Sequence, residues 1–331
     1  MLENQSPIVR RLVMFWLPIM VVIGVFLYLS QTHYDAQKEA QYGLQRLNFW
    51  RRQAGLPVLE RQAALEQAAQ KHAQYLTHNP DGHDERNRSN PHFTGADPQE
   101  RANAAGYPAA VSENLTISHF ARSGKRSVDS LMTALYHRLS LLNPDQDEVG
   151  VAWARGKNSA FVLESGSSQD RQLCEQNHSV QAKYILTMIC HYKKVEIHVN
   201  QAPIMQKMAV KYPIGSQIEP SYDGKEQPNP MPQADKTGNP ISIAFYGETQ
   251  PIQMISFKLF QDNQPINDVK ILTASNDINR LLAETEFALF PMKSLEFDKD
   301  YRVEFAYRQN NQDKIEKWQF HTRKKKNIFE F

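Results

Sequence analysis

The sequence is poor in several features that would point to a familiar class of protein. It contains only two cysteines, and its 38 basic residues outnumber its 36 acidic residues by two. A nucleic-acid-binding protein normally presents a basic face, so this near balance gives no support for that function. The sequence also lacks the Ser-x-x-Lys and Gly-x-Ser-x-Gly patterns of a serine nucleophile. Whether the protein is an enzyme is therefore left open by these motifs.

Length and composition predict more than one folded domain. A chain of 331 residues is long enough for two domains of about 150 residues each. Hydrophobic residues make up 41% of the chain and charged residues 22%, values typical of proteins with packed cores. We therefore expect folded domains rather than extensive disorder.

One long apolar run lies near the N-terminus. Residues 12–29 comprise 18 positions without a charge, and Arg10 and Arg11 precede them. A helix of this length nearly crosses a hydrocarbon core about 30 Å thick. The positive-inside rule then places residues 1–11 in the cytoplasm and exports the remainder. Because no Ala-x-Ala pattern follows, we predict an uncleaved transmembrane signal anchor, with a cleaved signal peptide as the alternative.

The two cysteines, Cys174 and Cys190, are 16 positions apart in the predicted exported part. Exported proteins meet an oxidising compartment, so we predict that these residues form a disulfide. The alternative is a metal site that uses Cys190 and His191 with His178 and His198. No spacing among these residues matches a tetrahedral zinc pattern, which disfavours that alternative.

A string of short motifs occupies residues 82–138. In chain order they are Gly82-His83-Asp84-Glu85, Phe93-Thr94-Gly95, Arg101, Gly106-Tyr107, Ser112-Glu113-Asn114 and His137-Arg138. Together they resemble the CAP superfamily of cysteine-rich secretory proteins, antigen 5 and pathogenesis-related 1 proteins, and the bacterial branch in particular. The resemblance extends from about Leu47 to Gly166 and implies an α+β fold, a three-layer α-β-α sandwich. We therefore predict a CAP domain over residues 34–168.

The resemblance also implies a cleft lined by two histidines and two glutamates. The residues at these positions are His83, Glu85, Glu113 and His137. Imidazole and carboxylate groups suit Zn²⁺ or another divalent ion, and two histidines leave coordination positions for water. Glu113 is expected to accept a hydrogen bond from an imidazole and fix its tautomer. These four residues are the candidate metal ligands and the candidate catalytic groups, and Arg101 is expected to pair with a carboxylate at the cleft edge.

Two points in this assignment stay open. His92 competes with His83 for the place of the first histidine, whereas His72 lies on an apolar helical face that is typical of a satisfied core histidine. A helix is predicted over residues 127–142, and in it His137 lies about 200° from the core stripe. From position alone, His137 could equally be a solvated surface residue.

The C-terminal part has a different pattern. Residues 169–240 contain the cysteines and a proline-rich stretch, so we interpret them as a connector. Residues 241–323 contain short strand-like runs separated by turn signals, which predict an all-β sandwich. The final strands resemble those of bacterial immunoglobulin-like domains, so we expect an immunoglobulin-like β-sandwich there.

These observations predict a bacterial cell-envelope protein, anchored in the membrane by a single pass, whose bulk is periplasmic or extracellular. Its CAP domain is expected to bind a ligand or divalent metal in the His/Glu cleft. An envelope polymer, a lipid or a protein is the expected partner. The first alternative is a metal-dependent hydrolase acting on envelope polymer or peptide. The second is a structural or adhesion protein in which the four polar residues stabilise loops.

Overall fold

The computed structural model describes residues 7–32, 34–176, 183–201 and 206–325 of the chain. The helices are α1 Pro7–Thr32, α2 Ala36–Gln53, α3 Ala63–Leu76, α4 Pro98–Ala104, α5 Gly124–Thr133, α6 Leu135–Leu141 and α7 Ser168–Glu175. The strands of the first half are β1 Glu60–Arg61, β2 Val111–Ser118, β3 Glu148–Arg155 and β4 Ser159–Gly166. The later strands are β5 Tyr184–Cys190, β6 Lys193–Val199, β7 Met208–Tyr212, β8 Gly215–Ile218, β9 Ser221–Tyr222, β10 Thr237–Gly238, β11 Ile241–Tyr246, β12 Gln253–Gln261, β13 Gln264–Pro265, β14 Val269–Thr273, β15 Glu286–Pro291, β16 Asp300–Gln309 and β17 Gln312–Thr322.

The apolar run near the N-terminus lies within α1, but the predicted transmembrane helix is wrong. Within the part of the chain that the structure describes, no helix is long and apolar enough to cross a membrane. An uncharged run of 18 residues rises only about 27 Å, less than the about 30 Å of a hydrocarbon core. Pro18 also lies inside this helix, where its ring removes one backbone hydrogen bond. Residues 1–6 of the predicted cytoplasmic segment lie outside the described residues.

Residues from α2 to β4 form three layers around a four-stranded sheet of order β1-β3-β4-β2. Strand β1 is parallel to β3, and the other neighbours are antiparallel. Alternate residues of a strand face opposite sides of a sheet. Accordingly, Val149 and Val151 of β3 pack with α2 and α5, whereas Ala152 of β3 and Val162 of β4 pack with α3. Helices therefore cover both faces of the sheet, as the α-β-α prediction requires.

The helix predicted over residues 127–142 is two helices. Helix α5 ends at Thr133, and Ala134 has an extended backbone with ψ of 127°. Helix α6 begins at Leu135, so His137 lies in a first turn and not in the middle of a long helix. The break changes the direction of the chain shortly before His137. The angle of about 200° between His137 and the core stripe assumed a continuous helix, so it does not apply.

The predicted disulfide between Cys174 and Cys190 is confirmed. It joins the end of α7 to the end of β5, and the two Cα atoms are 5.4 Å apart. Strand β5 pairs with β6 as an antiparallel hairpin. The hairpin also contacts the CAP layers, because the backbone amide of His191 donates to the carbonyl of Pro108 at 2.7 Å. The alternative metal site at Cys190 is therefore excluded by the bond, and His178 lies outside the described residues.

Two antiparallel sheets make up most of the C-terminal module. Their strand orders are β14-β15-β11-β7 and β13-β12-β16-β17-β8, with β8 added parallel to β17 at the edge. The sheets meet through aromatic rings: Phe305 of the second sheet lies 5.9 Å from Phe245 and 5.0 Å from Phe287 of the first. The short strands expected over residues 241–323 are present, among them β11 and β14. The immunoglobulin-like identity of this module stays a prediction.

An apolar core continues from the CAP layers into the C-terminal module. Trp50 of α2 meets Tyr212 of β7 edge to face, with ring centroids 5.8 Å apart. Both residues belong to one cluster of buried side chains that spans the two modules. The predicted connector, residues 169–240, contains β5 to β10, and part of it packs against α6. The two modules are thus in direct contact beside the helix that carries His137.

Candidate functional site

The imidazole rings of His83 and His137 face each other across a cleft of the CAP layers. Their centroids are 6.3 Å apart and their planes are inclined by 27°. The His83 side chain is 42% exposed and that of His137 is 14% exposed. The sequence motifs that lie 54 positions apart are therefore brought together at the surface. A ligand can reach both rings from solvent.

His83 is held by a carboxylate from within the CAP layers. Its Nδ1 lies 2.8 Å from Oε1 of Glu113, which is on β2 and has a buried side chain. Arg101 of α4 donates from Nη2 to Oε2 of Glu113 at 2.7 Å and to the carbonyl of His83 at 2.9 Å. The buried guanidinium of Arg101 thus fixes both the carboxylate of Glu113 and the backbone of His83. The expected pairing of Arg101 with a carboxylate is confirmed.

The charge of Glu113 is stabilised although the group is buried. Burial acts to raise its pKa, but the hydrogen bond with His83 and the positive fields of His72 and Arg101 together hold the pKa well below the usual 4.5. Glu164 on β4 shows the opposite shift, because burial and the nearby charge of Glu113 raise its pKa well above the usual range. Two neighbouring buried carboxyls with opposite shifts indicate one ionised group and one neutral group.

His137 is held by a carboxylate from the C-terminal part of the chain. Its Nδ1 lies 3.0 Å from Oε1 of Glu226, whose side chain is fully buried. Glu226 lies in the proline-rich stretch between β9 and β10, 89 residues after His137. The second imidazole therefore has the same kind of partner as the first, although that partner comes from a different module.

Glu226 also caps the helix that carries His137. The amides of Leu135 and Tyr136 each donate to its carboxylate at 2.7 Å, and the amide of His137 donates at 3.0 Å. The first amides of a helix have no partner within it, and the preceding residue, Ala134, has no polar side chain to serve as a cap. The negative charge of Glu226 at this positive helix end supplies the missing acceptor. Helix α6 therefore begins where an acidic residue from another module reaches it.

Further contacts clamp α6 against the C-terminal module. The hydroxyl of Tyr136 donates to Asp277 and accepts from Nδ2 of Asn279 at 3.1 Å. Arg138 is fully buried, and its guanidinium lies 4.6 Å from the ring centroid of Tyr212. Burial lowers the pKa of Arg138 to about 10, and the hydroxyl of Tyr212 and the carboxylate of Glu226 act in the opposite direction. The position of His137 is thus set largely by residues outside the CAP layers.

Glu85 is placed differently from the other predicted site residues. It is buried, and its Oε1 lies 2.9 Å from Nδ1 of His72 while its Oε2 accepts from the amide of Thr94 at 3.1 Å. His72 is buried on α3 and bonds through its second nitrogen to the carbonyl of Gly82 at 3.0 Å. Both residues therefore stabilise the loop that presents His83. The prediction of Glu85 as a metal ligand stays a prediction.

The alternative first histidine, His92, lies in the same loop. Its amide donates to the side chain of Asn90 at 2.9 Å, which closes a local turn. The imidazole that bonds Glu113 and stacks on His137 is that of His83. The contacts of the cleft therefore involve His83.

The donor set of the cleft suits a divalent metal only in part. Across the described ranges, no group of three or more His, Cys, Asp or Glu residues is arranged to hold a metal ion. Two imidazoles are nevertheless close together, and the carboxylates of Glu113 and Glu226 lie behind them. Carboxylates in this position orient metal-binding histidines and increase their basicity. Two histidines from the protein would leave the remaining positions of an ion to water or ligand, and metal binding in the cleft stays a prediction.

Glu226 is the site residue that the sequence motifs do not indicate. It lies outside the resemblance, in a stretch of Pro, Asn and Gly that predicts an extended connector. The sequence offers no signal for it, because the apolar pattern of residues 127–142 favours one continuous helix and hides the start of α6 after Ala134.

Helices on both faces of a small sheet, with two histidines backed by buried carboxylates, define the class of domain that the motifs indicate. Residues 44–165 match the cysteine-rich secretory protein family, CAP. This part of the chain is therefore a CAP domain. Glu226 and the C-terminal module lie beyond the matched residues.

Two solved structures are similar to parts of the chain. An outer surface protein from Borrelia burgdorferi is 20% identical, with a TM-score of 0.35, and the alignment covers 40% of this chain and 96% of that protein. A cysteine-rich secretory protein from Staphylococcus aureus is 15% identical, with a TM-score of 0.29, and the alignment covers 40% of each chain. No curated protein matches the chain in a sequence comparison.

Proposed function

We propose that the CAP domain binds a divalent metal ion, with Zn²⁺ as the first candidate, between His83 and His137. One observation carries this proposal: the two rings face each other at 6.3 Å, and a buried carboxylate holds each ring through Nδ1. If the two histidines were only surface residues, there would be no reason to bury a charged carboxylate behind each of them.

The hydrogen bonds at Nδ1 determine what the other ring nitrogen can do. An ionised carboxylate only accepts hydrogen bonds, so the proton of each neutral imidazole is at Nδ1. The lone pair at Nε2 is then available to a metal ion or to a donor group of a ligand. Glu113 thus leaves Nε2 of His83 available for binding, and Glu226 does the same for Nε2 of His137.

A bound divalent ion would supply Lewis acidity to a ligand in the cleft. The residues of this chain would hold the ion and orient it. Glu113 and Glu226 keep the rings in place, and Arg101 neutralises Glu113 at the base of the cleft. The prediction of hydrolysis stays an expectation, because no additional residue of the cleft is assigned to proton transfer.

We also propose that the CAP domain works in an oxidising compartment outside the cytosol. The disulfide between Cys174 and Cys190 supports this, since such bonds persist mainly in exported proteins. Metal in the cleft would then be drawn from the surroundings of the cell.

Calorimetric titration of the full chain with Zn²⁺ tests the metal proposal. We expect one site per chain in the wild type, and no measurable binding in His83→Ala or His137→Ala. His92→Ala is the matched control, because it removes an imidazole from the same loop, and we expect it to bind as the wild type does. Loss of binding in His92→Ala alone, or unchanged binding in all three variants, contradicts the proposal.

A further inference from the structure

A cavity lies between the CAP layers and the C-terminal module. Its volume is about 850 Å³, which is within the range of ligand sites. Arg46 and Trp50 of α2 and Asp129 of α5 line the CAP side, while Glu219 and Arg323 line the other side. It lies away from the His83 and His137 cleft, since neither histidine lines it.

The carboxylates that line this cavity already have cationic partners. Asp129 pairs with Arg46, and Oε2 of Glu219 lies 2.6 Å from Nε of Arg323. The two remaining carboxylates are paired as well: Asp298 with His321 at 3.0 Å and Asp223 with Lys225 at 3.2 Å. Each acidic group of the lining therefore has a basic partner within the protein.

Several basic residues of the lining do not belong to the ion pairs described above. Arg122, Lys125, Arg126 and Lys324 also line the cavity. Among the ion pairs of the described ranges, none involves any of these four side chains. Partial burial and the positive charge of Arg126 lower the pKa of Arg122, whereas the negative charge of Asp223 acts in the opposite direction. Like charges close to one another are unfavourable, and an anion from outside would relieve the repulsion.

Hydrogen bonds fix the backbone at two of these residues, Arg122 and Arg126. The indole Nε1 of Trp153 donates to the carbonyl of Arg122 at 2.8 Å, which ties this residue to the central sheet. The hydroxyl of Ser123 caps α5 by accepting from the amide of Arg126. Arg122 and Arg126 thus flank the start of a helix that packs into the core. Because the backbone is already fixed here, less of the protein has to become ordered when a ligand binds.

We propose that this cavity binds a soluble anion that carries several phosphoryl groups. Two guanidiniums and two ammonium groups around one cavity match such a ligand, because arginine forks bind phosphoryl oxygens in pairs. The lining is contributed by both modules, so an extended anion can bridge the two. The proposal is independent of the metal proposal, since the two sites share no residue.

Calorimetric titration of the full chain with inorganic tripolyphosphate at low salt is the test. We expect binding that weakens about tenfold in Arg122→Gln and in Lys125→Gln, as each removes a charge-assisted contact. Lys157→Gln is the matched control, because Lys157 is exposed on the turn between β3 and β4 and does not line the cavity. We expect this control to bind as the wild type does.

Three results would overturn the proposal. They are an absence of tripolyphosphate binding to the wild type, equal affinity in all variants, or an equal loss in Lys157→Gln. The last two results would indicate general attraction of anions to the surface. Zn²⁺ binding measured on Arg122→Gln keeps the two proposals separate, because we expect it to be unchanged.

Discussion

The two halves of the CAP cleft use the same chemistry but are built differently. His83 and Glu113 both lie in the residues that match the family, and Arg101 from the same domain secures them. His137 also lies in the matched residues, but its carboxylate, Glu226, comes from the following module. A CAP domain can therefore have half of its cleft positioned by a neighbouring module. The two halves should therefore respond differently to substitution.

The largest effect is expected in the half that is internal to the domain. Arg101→Met leaves Glu113 buried without its cationic partner, which we expect to lower the free energy of unfolding by about 4 kcal/mol. Equilibrium unfolding in urea measures this change. Arg88→Met is the control at an exposed position, with an expected change of about 0.5 kcal/mol or less. A change of that small size in Arg101→Met would contradict the assigned role.

A slightly smaller effect is expected at the junction between the modules. Glu226→Ala leaves the amides of Leu135, Tyr136 and His137 without their acceptor, so we expect a loss of about 3 kcal/mol in the free energy of unfolding. Exchange of these amide protons with solvent should be accelerated as well. Unchanged exchange in Glu226→Ala would show that α6 does not depend on this residue.

The dependence of stability on acid pH should report the charge of Glu113. The pKa of Glu113 is lower in the folded protein than its usual 4.5, so the unfolded state binds more protons at this residue as the pH falls. Its contribution is present above pH 4.5 and is lost as the pH falls towards the folded-state pKa. We expect Glu113→Gln to be less stable than the wild type at pH 6 and the difference to shrink towards pH 3, measured by thermal unfolding. A constant difference would show that the charge of Glu113 is not stabilised in the fold.

The smallest change in stability is expected for the two imidazoles. The side chain of His83 is 42% exposed, whereas that of His137 is 14% exposed and bonds a buried carboxylate. We therefore expect His83→Gln to alter the free energy of unfolding by about 0.5 kcal/mol or less, and His137→Gln by about 1 kcal/mol. Both values come from urea unfolding of matched variants. A larger loss of unfolding free energy in His83→Gln than in His137→Gln would contradict this ranking of the two histidines.

The sequence allowed much of this architecture to be predicted where the signals are local. Short strands separated by turns were expected over residues 241–323, and strands β11 to β17 lie there. The motifs also indicated His83 and Glu113, which the structure joins by a hydrogen bond. The disulfide followed from the presence of a single pair of cysteines.

What could not be predicted depends on contacts between distant residues. The apolar pattern of residues 127–142 favours one helix, and only the carboxylate of Glu226 explains why a new helix starts after Ala134. The proline-rich stretch around Glu226 gives no periodic signal at all. The transmembrane prediction is also wrong, because no helix in the described part of the chain is long and apolar enough to cross a membrane.

Calorimetric Zn²⁺ titration of Glu226→Gln is the most direct test of the central claim that both halves of the cleft act together. Glutamine keeps an acceptor for the α6 amides but removes the charge behind His137, and Glu196→Gln on the exposed face of β6 is the matched control. We expect Glu226→Gln to bind Zn²⁺ at least about tenfold more weakly than the wild type, and the control to be unchanged. Wild-type affinity in Glu226→Gln, together with lost binding in His83→Ala and His137→Ala, would contradict the claim that the C-terminal module completes the site.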